Sequence, residues 1–140
     1  MGVATGFAIP DGQQPTTQTD QGPRVEDGKN GADVSCEVSR SGDGYFIAGT
    51  LRQGTRSFTV SGTVAPADNG HAGLGTVIQV DSPRSLNVHS DPDACQLTVN
   101  ANQDIAAGRV WGNFSCSRVA DPPNVACQAM GSFVFENCKK

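Results

Sequence analysis

From Asp33 onward, apolar and polar residues alternate in short runs. Val34, Cys36 and Val38 take every second position while Ser35, Glu37 and Ser39 fill the gaps, the two-residue period of a half-buried strand. Ser41-Gly42-Asp43-Gly44 turns the chain. The segments 45–51 (YFIAGTL) and 57–64 (SFTVSGTV) then predict a hairpin joined by RQGTR and its glycine. Residues 65–73, with Pro66 and Gly70, read as a loop before a strand over 75–81 that Pro83 closes. Further strands are predicted over 85–89, 95–100, 109–117 and 127–138, with room for a single helical turn in NANQDIAAG.

Residues 1–32 have a different texture, rich in Gln, Thr, Gly, Pro and Asp with almost no apolar periodicity after Ile9. They predict a flexible polar linker or tether ahead of a domain over 33–140, with the piece around Phe7 and Ile9 able to dock as an edge strand. Seven or eight short strands at spacings near ten residues predict an all-β domain. The expected form is a two-sheet antiparallel β-sandwich, immunoglobulin-like, stapled by disulfides. A small closed barrel is the alternative.

Composition supports strands and narrows the partners. Charged residues make up 17% of the chain and the net charge is -4, divided evenly between residues 1–32 (two basic, four acidic) and the remainder (eight basic, ten acidic). Phosphate binding needs clustered Lys and Arg, so a nucleic-acid partner is disfavoured, and Lys139-Lys140 is too short a run to alter that. No stretch is long enough to span a bilayer. The opening MGVATGFAIP has neither a basic start nor a long apolar run, which reads as a mature form with an added Met1.

Five cysteines, Cys36, Cys95, Cys116, Cys127 and Cys138, are many for a small cytosolic chain, and no pair has the two-residue gap of a zinc knuckle or redox motif. Disulfides and an oxidising, extracytoplasmic compartment follow. If the last hairpin sets Cys116 opposite Cys127, the same register sets Phe114 against Ala129, Gly112 against Gly131 and Val110 against Phe133. That face is wholly apolar, with Trp111, Asn113 and Ser115 opposite Met130, Ser132 and Val134 on the other. The expected bonds are therefore Cys116–Cys127 and Cys95–Cys138, leaving Cys36 as a free thiol sheltered between valines. The competing arrangement ties Cys36 to Cys138.

Candidate chemistry is sparse. His71 and His89 are the only histidines. A metal site would need them to meet Asp91, Asp93 or a cysteine, and Met130 and Cys127 have no histidine near them as a copper loop requires, so two solvated loop histidines are expected. Asp91 and Asp93 lack the ladder of a calcium loop and read as an acidic turn. GxSxG is absent and no carboxylate stands in an obviously apolar setting, so neither catalytic residues nor a cofactor are expected. Asn113-Phe114-Ser115 matches a glycosylation acceptor. Trp111, Tyr45, Phe46 and Phe58 offer the rings of a sugar-stacking face, with Trp111 the best ligand contact, although a core role suits most of them.

The run GRVWGNFSCSRVADPPNVACQAMGSFVFENC, with SRSGDGYFIAGTL and RSFTVSGTV before it, resembles small cysteine-containing secreted lipoproteins of myxobacteria and related Gram-negative bacteria. The resemblance covers most of residues 33–138. It implies an outer-surface or periplasmic β-sandwich tethered through a lipidated cysteine ahead of a linker like this one, and it implies no activity. The leading expectation is a non-enzymatic envelope or secreted domain acting through protein contacts. A carbohydrate-binding module is the second expectation, and a subunit of a surface filament or shell the third.

Overall fold

The structure, a computed structural model, describes residues 16–18, 24–81, 86–121 and 125–140, with side chains over 25–80, 89–117 and 129–140. The expected edge strand around Phe7 and Ile9 lies outside those residues. Eleven strands and one short 3-10 turn make up the described chain. They are β1 (Thr16–Gln18), β2 (Arg24–Glu26), β3 (Ala32–Ser41), β4 (Gly44–Gln53), β5 (Arg56–Ala67), β6 (Gly70–Asp81), β7 (Leu86–His89) and β8 (Cys95–Val99). The turn η1 (Asn102–Asp104) follows, then β9 (Ile105–Ala106), β10 (Arg109–Asp121) and β11 (Val125–Phe135).

The domain is all-β and antiparallel as the alternation predicts, but a second sheet facing the first is not what builds its core. β3 to β11 belong to one sheet in the order β11-β10-β8-β6-β5-β4-β3, with β7 beside β6 and β9 beside β10. This sheet curls into a half-barrel. Its concave face carries Val34, Val38, Ile47, Val60, Val64, Val77, Leu97, Val110 and Phe133, all buried. Even the curl has a local cause. Glycines replace side chains at inward positions, and the phenylalanine rings of β11 fill the space: a Cβ on Gly112 would stand 2.7 Å from the Phe133 ring.

β3 to β6 form a meander of three hairpins, each with a two-residue loop, closed by the pairs Ser41–Gly44, Gln53–Arg56 and Ala67–Gly70. The first loop residue is left-handed each time: Gly42 (φ 63°), Gly54 (φ 58°) and Asp68 (φ 48°). The loop expected over 65–73 is therefore strand, and Pro66 pairs with His71. Proline is tolerated there because it stands past the last β4–β5 pair, Tyr45–Val64, where that side of β5 has no ladder to break.

On its other side β6 changes partner, pairing with β7 through Ile78–His89 and with β8 from Gly75–Cys95. Ser90 holds the break: its amide donates to the Val77 carbonyl (3.0 Å), and its hydroxyl accepts from the Val77 amide (2.9 Å). Ser90 is buried. Ser90→Ala strands the Val77 N–H without water or partner, and it is expected to cost about 1–3 kcal/mol in urea unfolding. Global stability unchanged by that substitution would show that the break is held by the ladders alone.

The end of the sheet at β3 is not left open. Lys139 runs parallel to it, bridging Glu37: the Val38 amide donates to the Lys139 carbonyl (2.9 Å) and the Lys139 amide to the Cys36 carbonyl (3.0 Å). The β9–β10 turn joins this seam, with the Gly108 amide donating to the Val38 carbonyl (2.8 Å) and the Cys138 amide to the Gly108 carbonyl (2.9 Å). Residues following β11, one end strand, thus stitch onto β3, the other. The ribbon β1–β2 also bridges the two, with β2 approaching β3 and β1 approaching β11.

Residues 24–32, expected within the polar tail, are part of this architecture. Val25 packs on the core, and Asp27 Oδ1 accepts from the Val34 amide (2.8 Å). The turn 27–31 suits its sequence, since Gly28, Asn30 and Gly31 all take positive φ. Glu26 and Lys29 form an ion pair of 2.7 Å across it, exposed and worth little. The boundary of the folded unit therefore lies before residue 33.

The disulfides differ from the expected set. Cys36 bonds to Cys138 (Cα–Cα 4.8 Å) and Cys95 to Cys116 (Cα–Cα 4.1 Å). Cys36 is thus not the free thiol. Both Cys116–Cys127 and Cys95–Cys138 are replaced, and Cys127 has no cysteine left to pair with inside the chain. The reason is register. Cys116 stands opposite Ala129 on β11 and opposite Cys95 on β8, while a bulge between Cys116 and Val119 sets Cys127 against Val119.

Candidate binding surface

The histidines do not meet. His71 is not a solvated loop residue: it sits on β6, buried at the mouth of the half-barrel, with its ring edge on Tyr45 (centroids 5.3 Å apart) and Arg40 lying 4.8 Å over that tyrosine. Its Nδ1 has no hydrogen-bond partner. His89 is exposed on β7, as expected for a solvated side chain. Asp91 and Asp93 form the turn into β8, held by the Asp93 amide donating to Thr76 Oγ1 (3.0 Å). Among the described residues, no three His, Cys, Asp or Glu side chains converge.

The four aromatic candidates divide between the two faces. Tyr45 and Phe58 turn inward, Phe58 stacking between Phe114 (5.9 Å) and Phe135 (6.5 Å). Phe46 and Trp111 turn outward, so the four do not make one platform. Asn113 stands mid-strand on β10, between Thr98 and Ser132 with Phe114 buried beside it, a poor setting for a glycan acceptor, which needs a loop.

Trp111 has a partner that the sequence reading did not anticipate. Its indole N–H donates to Glu136 Oε1 at 2.6 Å, and Glu136, just past β11, is only 1% exposed. The other carboxylate oxygen is buried without a hydrogen bond. Trp111 as a whole nevertheless remains 40% exposed, and it lines a groove with Gln103, Asp104 and Arg109. η1 brings the first two there, and the guanidinium of Arg109 donates to the Gln103 carbonyl (2.7 Å).

No protein-family model matches this chain, and neither a curated protein nor a solved structure does. The surface has to be read from its own chemistry. Following the pairings across the outer face from β3, the row Ser39–Phe46–Thr63–Leu74 continues through Gln96 and Ser115 to Met130. The neighbouring row is Ala65–Ala72–Thr98–Asn113–Ser132. Neither contains a charge. Leu74 and Met130 are more than half exposed and Phe46 is 36% exposed, with a groove between Phe46 and Leu74 floored by Gly62 and Thr63 and rimmed by Asp93. No helix among the described residues is long and apolar enough to cross a membrane.

Proposed function

We propose that this chain is an extracytoplasmic, non-enzymatic domain that binds a partner protein through the outer face of its sheet. The observation that carries the reading is the pair of uncharged cross-strand rows with Phe46, Leu74 and Met130 exposed along one of them. Depletion of charge around exposed large apolar side chains marks the centre of a protein interface, whereas a face meant only for solvent carries Lys and Glu. The partner that fits is an apolar patch with few charges, because neither row offers a group to pair with one. Two disulfides in so small a chain support an oxidising compartment. The resemblance to secreted lipoproteins agrees with a tethered surface component.

The test places a photo-crosslinking side chain at position 74 and, as a control, at position 52 on the same face, then irradiates each in envelope extract of the producing organism. The expected result is one discrete adduct from position 74, competed by unlabelled protein but not by Leu74→Arg, and none from position 52. Leu74 is exposed, so the arginine is expected to shift stability by no more than about 0.5 kcal/mol. Absence of any competed adduct, or a substrate turnover abolished by one side-chain change, would sink the proposal.

A further inference from the structure

We propose that the groove between Phe46 and Leu74 takes an extended peptide segment of the partner in which a large apolar side chain stands two positions from a Lys or Arg. The inference rests on the protein-binding reading of this face and gives the partner's contact a sequence. Strand order builds the walls. Phe46 on β4 and Leu74 on β6 both pair with Thr63 on β5, so the groove runs along β5 and its walls rise from backbones two strand spacings apart, about 9.6 Å. Between them β5 offers only Ser61 and Thr63, whose small side chains leave the groove open. A helix about 10–12 Å across is too wide to enter, whereas an extended chain lays one row of side chains into it. The exposed Phe46 and Leu74 side chains make the first level of the groove apolar.

The second level holds an acid. The Asp93 amide donates to Thr76 Oγ1 (3.0 Å), and Thr76 lies two residues from Leu74 on β6, opposite Ser61. Two residues along a strand span about 6.8 Å, which is also the distance between side chains i and i+2 on one face of an extended ligand. Asp93 is exposed and is the one charged residue lining the groove, so no base in the lining answers it. Nor does the turn itself need a carboxylate: the bond to Thr76 uses the Asp93 backbone, and its φ of 55° suits Asn as readily. An apolar level followed one step later by a negative one complements an apolar side chain followed by a cation. Residues 1–23 contain no Lys or Arg, so the chain's own leading segment lacks the group that Asp93 would pair with.

The test follows backbone amide shifts of the isotope-labelled full-length protein, titrated to millimolar concentration with Gly/Ser heptapeptides. Each carries Leu and, two positions away, Lys, Glu or Ser, in both chain directions. Saturable shifts at Phe46, Ser61, Thr63 and Leu74 are expected with the Lys peptide in at least one direction. It is expected to bind about threefold or more tighter than the Ser peptide, with the Glu peptide weakest, and added salt narrows the gap. Asp93→Asn is expected to erase the preference for Lys while leaving the affinity for the Ser peptide as it was. Silence with every peptide, equal binding of the Lys and Glu peptides, or a preference for Lys that survives Asp93→Asn would overturn the proposal. So would shifts at the same amides that appear without peptide as protein concentration rises, which would put a second copy in the groove. If the competed adduct from position 74 forms while any of these holds, only the sequence assigned to the partner falls. If that adduct fails as well, the protein-binding reading falls with it.

Discussion

Replacing Cys36 and Cys138 together with alanine is expected to lower the unfolding free energy by about 4.7 kcal/mol in urea titration, against about 3 kcal/mol for Cys95 and Cys116. The difference comes from loop length: the first bond closes a separation of 102 residues and the second one of 21. The shorter loop lies inside the longer one, so with Cys95–Cys116 intact the free part of the outer loop falls to 102 less 21, about 81 residues. Loop entropy depends on the logarithm of length, and that shortening removes only about 0.2 kcal/mol. For a small domain, a loss near 5 kcal/mol is a large part of the whole margin. Alanine is the right replacement because both sulfurs are buried and a serine hydroxyl would add its own unsatisfied cost.

The Cys36–Cys138 bond also sits in the seam that closes the sheet, beside the Val38, Lys139, Gly108 and Cys138 backbone bonds. Hydrogen exchange distinguishes a seam that merely frays from one that holds the half-barrel shut. The double alanine variant is expected to lose protection at those amides and across β3 together. If exchange quickens only at Cys138 and Lys139 while urea stability stays within about 0.5 kcal/mol, the seam is a local clasp and the expectation is overturned. Peptide mapping of the unreduced protein provides the companion check, with Cys127 the single position that takes up alkylating agent.

Alternation along each strand revealed which residues face inward, and there the sequence and the structure agree. Val110, Gly112, Phe114 and Cys116 share a face with Ala129, Gly131 and Phe133, and Trp111, Asn113, Ser115 and Met130 look outward. What alternation does not carry is a slip by two, which leaves every side chain on its own face. The observed pairs are Val110–Phe135, Gly112–Phe133, Phe114–Gly131 and Cys116–Ala129, two residues from the expected register along β11. Ring-over-glycine pairing decides between the two, because it sets Phe133 against Gly112 and Phe114 against Gly131 where the expected register paired glycine with glycine. That one slip also misdirected the disulfides.

Single-sheet architecture had a signal too, in glycines at the mid-strand positions 49, 62, 75 and 112. Gly62 and Gly75 are direct partners, and a Cβ on Gly62 would stand 2.5 Å from the Leu74 carbonyl and 2.7 Å from Leu97. Backbones that approach so closely belong to a sheet bending on itself. The Trp111–Glu136 pair was hidden for another reason. FVFEN reads as a strand ending in a solvated acid, and only the turn after Phe135 brings that carboxylate beneath an indole 25 positions earlier.

The glycine at position 49 yields the other large effect. Gly49→Ala is expected to cost about 3 kcal/mol, at the upper end for one added methyl, since its Cβ would fall within the Phe135 ring. That ring has nowhere to go. It is 1% exposed and stacks on Phe58, which in turn packs on Phe114, so moving one ring disturbs three. Gly49 is also the direct cross-strand partner of Cys36, so backbone movement away from Phe135 pulls on the Cys36–Cys138 bond. Phe135→Leu alone leaves room beside Gly49 and is expected to cost about 1–2 kcal/mol. The two changes relieve one another, so the double variant is expected to be about 1–2 kcal/mol more stable than the sum of the single losses. Strict additivity in that cycle would mean that β4 and β11 do not share this contact, and the account of the curl as rings seated on glycines would fail with it.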